Sequence, residues 1–229
     1  MGELMNEPIA FESMYCTAFQ STWTTQLTLE AQSRLGRLFL SRKPPRLDTR
    51  ERFLNLGCGT KILDGWVNAD FFVRRYWRLP KSFWMLDLRY PLLCDSDYWD
   101  GIFTEHTLEH LYPLQVRNLL RELLRTLKPK SWLRIAVPDL RKYVDFYIGK
   151  SPTQAGFSKW TAGAEAIWSV SQNWGHLSLW DFELLSGVLS DIGFANIRQV
   201  DFLEGSDQRL LKDQEYRRWE SMYIEAQKP

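Results

Sequence analysis

The chain is short of several things that would settle its class at once. Three cysteines, Cys16, Cys58 and Cys94, are spread through 229 residues without a C-x-x-C pair. That pattern excludes a disulfide framework and a zinc ribbon, and it fits a reducing cytoplasm. Neither sign of charge dominates: 29 Lys and Arg face 28 Asp and Glu. The basic surplus of a protein that lives on phosphate backbones is therefore missing, and nucleic acid is not an expected partner. No apolar run reaches the roughly 18 residues of a membrane span, and no basic region followed by an apolar stretch opens the chain. A soluble cytoplasmic protein without stable membrane insertion is the expectation. Histidine is scarce as well, at three residues, so the placement of each bears on function.

What remains, with hydrophobic residues at 45% and charged ones at 25%, is enough to bury the core of one α/β domain, or of a domain with an appendage. Its organising stretch is residues 53–70, FLNLGCGTKILDGWVNAD. An apolar run (Phe53, Leu54, Leu56) enters a turn with glycine at 57 and 59, and a second apolar run closes on Asp70. Strand, glycine turn and acidic strand end together suggest a nucleotide or nucleoside site at strand carboxyl ends, with Asp70 on the ribose hydroxyls. The dinucleotide fingerprint separates the two by about twenty residues, and here Asp70 follows Gly57 too soon for that. The first crossover helix is at most a single turn, which leaves no helix N-terminus for a pyrophosphate. A nucleoside without phosphates fits better.

Residues 1–25 show no period and read as an irregular arm, open equally to homodimerisation and to closure over a substrate. Leu27, Ala31, Leu35, Leu38 and Phe39 recur at three- and four-residue spacings, which predicts a helix over 25–40 that caps the domain. The paired prolines of 41–50 form a linker. Residues 1–50 are thus arm and capping helix, and 51–229 the main domain. In 71–82, aromatics interleave with Arg74, Arg75, Arg78 and Lys81. An anionic or membrane-surface contact and a solvated helix whose arginine stems cover apolar surface are both open there. Strands are expected at 83–88 and 98–103, an amphipathic helix at 113–127 and a fifth strand at 132–137. This alternation implies a mainly parallel sheet with helices on both faces. Residues 149–180, rich in Gly, Ser and Trp, break the rhythm, and an insertion at that edge suits a substrate lid. A helix at 182–192 and strands at 197–202 and 222–226 complete the chain.

Two of the histidines lie in H-x-x-E-H at 106–110, a spacing shared with inverzincin zinc proteases. A zinc-binding helix should continue and be joined by another ligand downstream, whereas this segment follows a strand and meets Pro113 within a turn. No metal is expected, and zinc hydrolysis is the weakest of three functional readings. Glu109 and His110 read as structural. His106 is the better catalytic candidate, with a satisfied core histidine as its alternative. His176, in NWGHLSLW, suits a base or a substrate hydrogen-bond partner, or is a loop histidine packed on Trp174 and Trp180. Asp139, after Pro138, either meets substrate at the strand end or caps the following helix.

Taken in order, LNLGCG, Asp70, LDL at 86–88, HTLEHL, LKP, VPDL, LSDIGF and SMYIEA resemble the class I S-adenosylmethionine-dependent methyltransferases over about residues 50–226. More narrowly, GCG followed by GW-x-N-x-D, H-x-LEHL and GH-x-SLW resemble a bacterial branch associated with glycan and secondary-metabolite pathways. The resemblance implies a Rossmann-like α/β fold: a mainly parallel seven-stranded sheet, helices on both faces, last strand antiparallel. It also implies S-adenosylmethionine as cofactor. The backbone of Gly57, Cys58 and Gly59 would meet its methionine portion and Asp70 its ribose. Asp87 and Leu88 would flank the adenine, with Glu105 and His106 at the sulfonium end. Asn55 stands where such enzymes often carry an acid, and its amide can still hydrogen-bond; Lys61 replaces the usual third glycine. The implied activity is methyl transfer to an oxygen or nitrogen of a small molecule, by preference a sugar or glycan precursor, with His106, His176 and Asp139 as catalytic candidates. Asn55 and Lys61 motivate the alternative of a catalytically silent protein that kept the fold.

Overall fold

The structure, a computed structural model, describes residues 43–71, 80–150 and 155–229, together with residues 27, 28, 30, 31, 33, 34 and 37. Those seven early positions are helical, as the amphipathic spacing predicts. The arm at 1–25 and the arginine-rich positions 72–79 lie outside the described residues.

Seven strands make one sheet: β1 (Phe53–Leu56), β2 (Val67–Asp70), β3 (Phe83–Met85), β4 (Trp99–Glu105), β5 (Leu127–Pro138), β6 (Ala195–Val200) and β7 (Ser221–Gln227). Their order is β3-β2-β1-β4-β5-β7-β6. Pairs among the first five are parallel, and β7 runs antiparallel to both β5 and β6. Sequence order reverses between β1 and β4, the place where open α/β sheets form their ligand crevice. Beyond the early helical positions, the α-helices among the described residues are α1 (Pro113–Thr126), α2 (Leu140–Tyr147), α3 (Gly163–Gln172) and α4 (Phe182–Ile192). Residues 57–66 link β1 to β2 through turns alone, as the short spacing requires. No helix among the described residues is long and apolar enough to cross a membrane.

Strand alternation divides the core. Leu54, Leu56, Ile102, Leu133 and Ile135 join Leu119, Leu120 and Leu123 of α1 and Leu185 and Leu189 of α4 in the main cluster. Phe53, Trp66, Phe103 and Leu210 form a smaller cluster. Arg134 is fully buried and is held by Asp213, with Nε–Oδ1 at 2.8 Å, and by the Glu204 carbonyl at 2.8 Å. Without those partners a buried guanidinium would be strongly destabilising.

Strand ends shift by one or two residues at β4, β6 and β7 and further at β5 and β3. β5 begins at Leu127 because Tyr98 N–H donates to Thr126 O at 2.7 Å and Leu127 registers with Trp99, so the chain leaves α1 directly into the sheet. β3 stops at Met85 because the Asp87 carboxylate turns back to accept the Arg89 amide at 3.1 Å, which folds residues 86–90 into a turn.

Candidate active site

Gly57 has φ +67, and a Cβ there would collide with the side chain of Thr107, so the β1 turn and the turn after β4 are in direct contact. Gly59 has φ +52 with open space where a Cβ would point. The amides of Gly57 and Cys58 both donate to Ala69 O, at 2.8 and 3.1 Å, whereas Gly59 N–H donates to Asp70 Oδ2 at 2.7 Å. The other Asp70 oxygen accepts from Phe71 N–H at 2.6 Å. Burial raises the Asp70 pKa, and these two amides oppose the rise. A carboxylate at a strand end beside an uncovered glycine is thus in place. Cys58 is buried and unoxidised, and burial pushes its thiol to about 12, which removes thiolate chemistry at neutral pH.

Asn55 uses both amide hydrogens within the protein, donating to Lys61 O at 2.8 Å and Asn68 Oδ1 at 2.9 Å. Asn68 in turn accepts Leu63 N–H at 2.8 Å and donates to Trp66 O at 3.0 Å. The two amides clamp the β1–β2 loop, a task an acidic residue at 55, with no hydrogens to give, cannot perform. Lys61 crosses to Lys212 O and lies 3.6 Å from Glu105 Oε2. Glu105 is buried and accepts from Gln214 N at 2.9 Å and Gln214 Nε2 at 2.6 Å.

Asp87, expected beside the adenine, is already engaged. Arg89 donates to it through Nε at 3.0 Å and Nη2 at 2.8 Å, and Ser33 of the early helix donates to Oδ2. Burial disfavours its charge, but the hydrogen bonds from Arg89 and Ser33 together hold its pKa below the usual range. Leu88 is half-buried against the main core.

After β4 the chain makes a turn in which all three histidines meet Glu109. His106 has φ +49, a strained conformation for a residue with a Cβ, of the kind that persists at functional sites. Its Nε2 lies 2.7 Å from Ser221 Oγ, and that hydroxyl donates to Arg217 O at 2.8 Å, so Nε2 carries the proton. The other ring nitrogen, Nδ1, faces Glu109 Oε1 at 3.3 Å. Glu109 is 1% exposed, and neither carboxylate oxygen has a hydrogen-bond partner. Burial pushes its pKa to about 8 and pushes His106 well below the imidazole range.

His176 is delivered by the insertion. Leu177 and Ser178 amides donate to Glu109 O at 2.7 and 3.1 Å. The His176 Nδ1 lies 2.7 Å from Val170 O, an acceptor only, so Nδ1 is protonated and Nε2 keeps a lone pair directed toward Glu109 Oε1 at 4.0 Å. Burial lowers its pKa to about 4. The His110 Nε2 is also 4.0 Å from Glu109 Oε1, and the His110 and His176 rings meet edge to face at 5.0 Å. The sequence reading lacked a downstream ligand for the H-x-x-E-H segment; the fold brings His176 to that place. Nothing short of the tertiary contact between residues 108–109 and 177–178 reveals it.

Asp139, at the end of β5, accepts Arg141 N–H at 3.0 Å and caps α2, while burial raises its pKa. In the insertion, Phe157 and Trp160 are buried with Tyr143 in a core of their own, and among the described residues Trp174 alone of the insertion's tryptophans is widely exposed, at 49%.

No protein-family model matches the chain, and no curated protein matches it in sequence. Solved structures do. A SAM-dependent methyltransferase from Archaeoglobus fulgidus aligns over 87% of this chain and 93% of its own, at 18% identity and a TM-score of 0.50. A Thermotoga maritima SAM-dependent methyltransferase, described as a possible histamine N-methyltransferase, aligns over 94% of this chain and 100% of its own, at 16% identity and a TM-score of 0.49. Strand order, the antiparallel β7 and the Archaeoglobus match agree: the chain has the Rossmann-like fold of the class I methyltransferases.

Proposed function

We propose that the chain binds S-adenosylmethionine and transfers its methyl group to an oxygen or nitrogen of a small molecule, by preference a sugar or glycan precursor, in the cytoplasm. The observation that carries this reading is the pairing of Gly59 and Asp70 at the carboxyl ends of β1 and β2, with open space above the glycine. Open backbone and a strand-end carboxylate suit a ribose and the chain attached to it. When bound, the cofactor supplies an electrophilic methyl on a sulfonium, a good leaving group, so the protein's work is mainly positioning.

In this reading residues 51–229 are the catalytic domain and 149–180 its lid. Gly57, Cys58 and Gly59 line the methionine portion, Asp70 accepts from the ribose, Asp87 and Leu88 border the adenine, and Glu105 and His106 close the reactive end. Asn55 acts one step removed, by holding the loop through Lys61 O. Of the three candidate bases, His106 commits Nε2 to Ser221 and Asp139 caps α2, which leaves the Nε2 lone pair of His176 as the most available acceptor for a substrate proton. The exposed Trp174, with its ring 5.7 Å from that of His176, offers a face for a sugar ring.

Calorimetric titration with S-adenosylhomocysteine tests the reading. One-site binding is expected, weakened about 10- to 100-fold in Asp70→Ala, the loss for a hydrogen bond to a charged group; no binding by the intact protein overturns it. A second reading, a binder without turnover, is favoured by the engagement of Glu105, expected at the reactive end, with Gln214 and Lys61. Retained binding with no methyl transfer to any of a panel of alcohols and amines would select it.

A further inference from the structure

A buried carboxylate with neither oxygen hydrogen-bonded is destabilising unless it is neutralised, paired or coordinated. Glu109 is such a group, and its Oε1 faces the Nε2 atoms of His110 and His176, each at 4.0 Å. One ligand atom from each of the three residues lies within 4.8 Å of the others. The His176 ring is oriented as a ligating imidazole is, with its far N–H on a backbone carbonyl and its lone pair turned inward. His110 has a side chain 40% exposed, and its ring is held beside His176 by the backbone of Trp174 and Gly175. Zinc bonds of about 2.0–2.1 Å set tetrahedral ligands roughly 3.3 Å apart, so the two 4.0 Å separations from Glu109 need contraction by less than about 1 Å, and the pair of imidazoles, within 4.8 Å, by no more than about 1.5 Å.

We propose that Glu109, His110 and His176 bind a divalent transition-metal ion of the zinc or cobalt(II) class, leaving an open coordination position on the exposed His110 side. Two imidazoles and one carboxylate select borderline ions over magnesium or calcium. Three protein ligands with a vacant position is the pattern of reactive zinc sites; structural ones close with four. The set differs from the zinc-protease reading of H-x-x-E-H, because His106 commits Nε2 to Ser221 and sets Nδ1 against the Glu109 carboxylate itself, at 3.3 Å, while the second imidazole comes from His176. The site also joins the turn after β4 to the insertion, which otherwise meet there through the Leu177 and Ser178 amides on Glu109 O. The inference does not rest on the methyltransferase reading. If both hold, His176 Nε2 is a ligand and the acceptor oxygen is oriented by the metal.

The test uses the full chain, free of any histidine tag, stripped with chelator and titrated with Co2+ and no other ligand. One equivalent per chain is expected, with a visible d–d band that Zn2+ displaces. His110→Ala, at a partly exposed position outside the main core, weakens Co2+ by more than about 100-fold, beyond the usual loss from an outer-shell partner. Glu109→Gln, which keeps the side-chain volume, does the same. Absence of the band, or equal Co2+ affinity in the wild type and His110→Ala, overturns the proposal and leaves a proton between Glu109 and His106 as the occupant of the gap. Cofactor binding enters neither measurement, so failure here is distinct from failure of the proposed activity.

Discussion

The glycine turn and the histidine turn touch each other at the carboxyl ends of β1 and β4, through Thr107 against Gly57, yet they treat their polar groups differently. Around the glycine turn, Asn55 and Asn68 satisfy the loop backbone and Asp70 takes two amides. Gly59, beside Asp70, is left uncovered. Around the histidine turn a carboxylate is buried without a hydrogen-bond partner and three imidazoles converge on it. A satisfied scaffold with an open glycine beside its carboxylate is preformed for a ligand that brings its own donors. An unsatisfied acidic centre instead calls for a positive charge.

Substitutions break this comparison in graded steps. Gly57→Ala is the most severe, since it adds a collision with Thr107 to an unfavourable positive φ; we expect a loss of about 3 kcal/mol or more, read by denaturant unfolding. Asn55→Ala strips the donors from Lys61 O and Asn68 Oδ1 and costs about 1–3 kcal/mol, with faster proteolysis within residues 57–66. Gly59→Ala meets no atom and costs only about 1 kcal/mol from its positive φ, but it narrows the approach to Asp70. Its melting temperature therefore moves little while S-adenosylhomocysteine affinity falls, the reverse of the balance in Asn55→Ala. Asp139→Asn is the mildest, because asparagine caps a helix as well as aspartate does. Unchanged stability with a drop in turnover would assign Asp139 a proton-handling role; Asp139→Ala, for comparison, costs about 1 kcal/mol.

Much of the fold is legible in the sequence, since the apolar faces of α1 and α4 and the short apolar runs of β1, β2, β4 and β7 depend on local periodicity. The beginning of β5 is not: residues 127–131, LKPKS, look polar, and only pairing with Trp99 and with the end of β7 makes part of them sheet. Gly59 and Asp70 are legible because a turn and a strand end mark them. The roles of Asn55 and Lys61 are not, because each depends on where a distant carbonyl falls, Lys61 O for one and Lys212 O for the other. His176 belongs with these, for its approach to Glu109 arises from loop-to-turn contact that no spacing encodes. The tryptophans of the insertion also mislead when read by composition: Trp160 is packed against Tyr143 and Phe157 and is not available to a substrate.

That aromatic packing has a consequence for how such a protein can change over time. Tyr143, Phe157, Trp160, Ala166 and Val170 form a nucleus separate from the one beneath the sheet, anchored by α2 and Trp219. Residues at its rim, such as Trp174, can drift without disturbing strand register, because no strand pairing runs through them. The insertion is thus a cassette in evolutionary terms: its rim can be rebuilt while the glycine turn and Asp70, held by the sheet, stay in place.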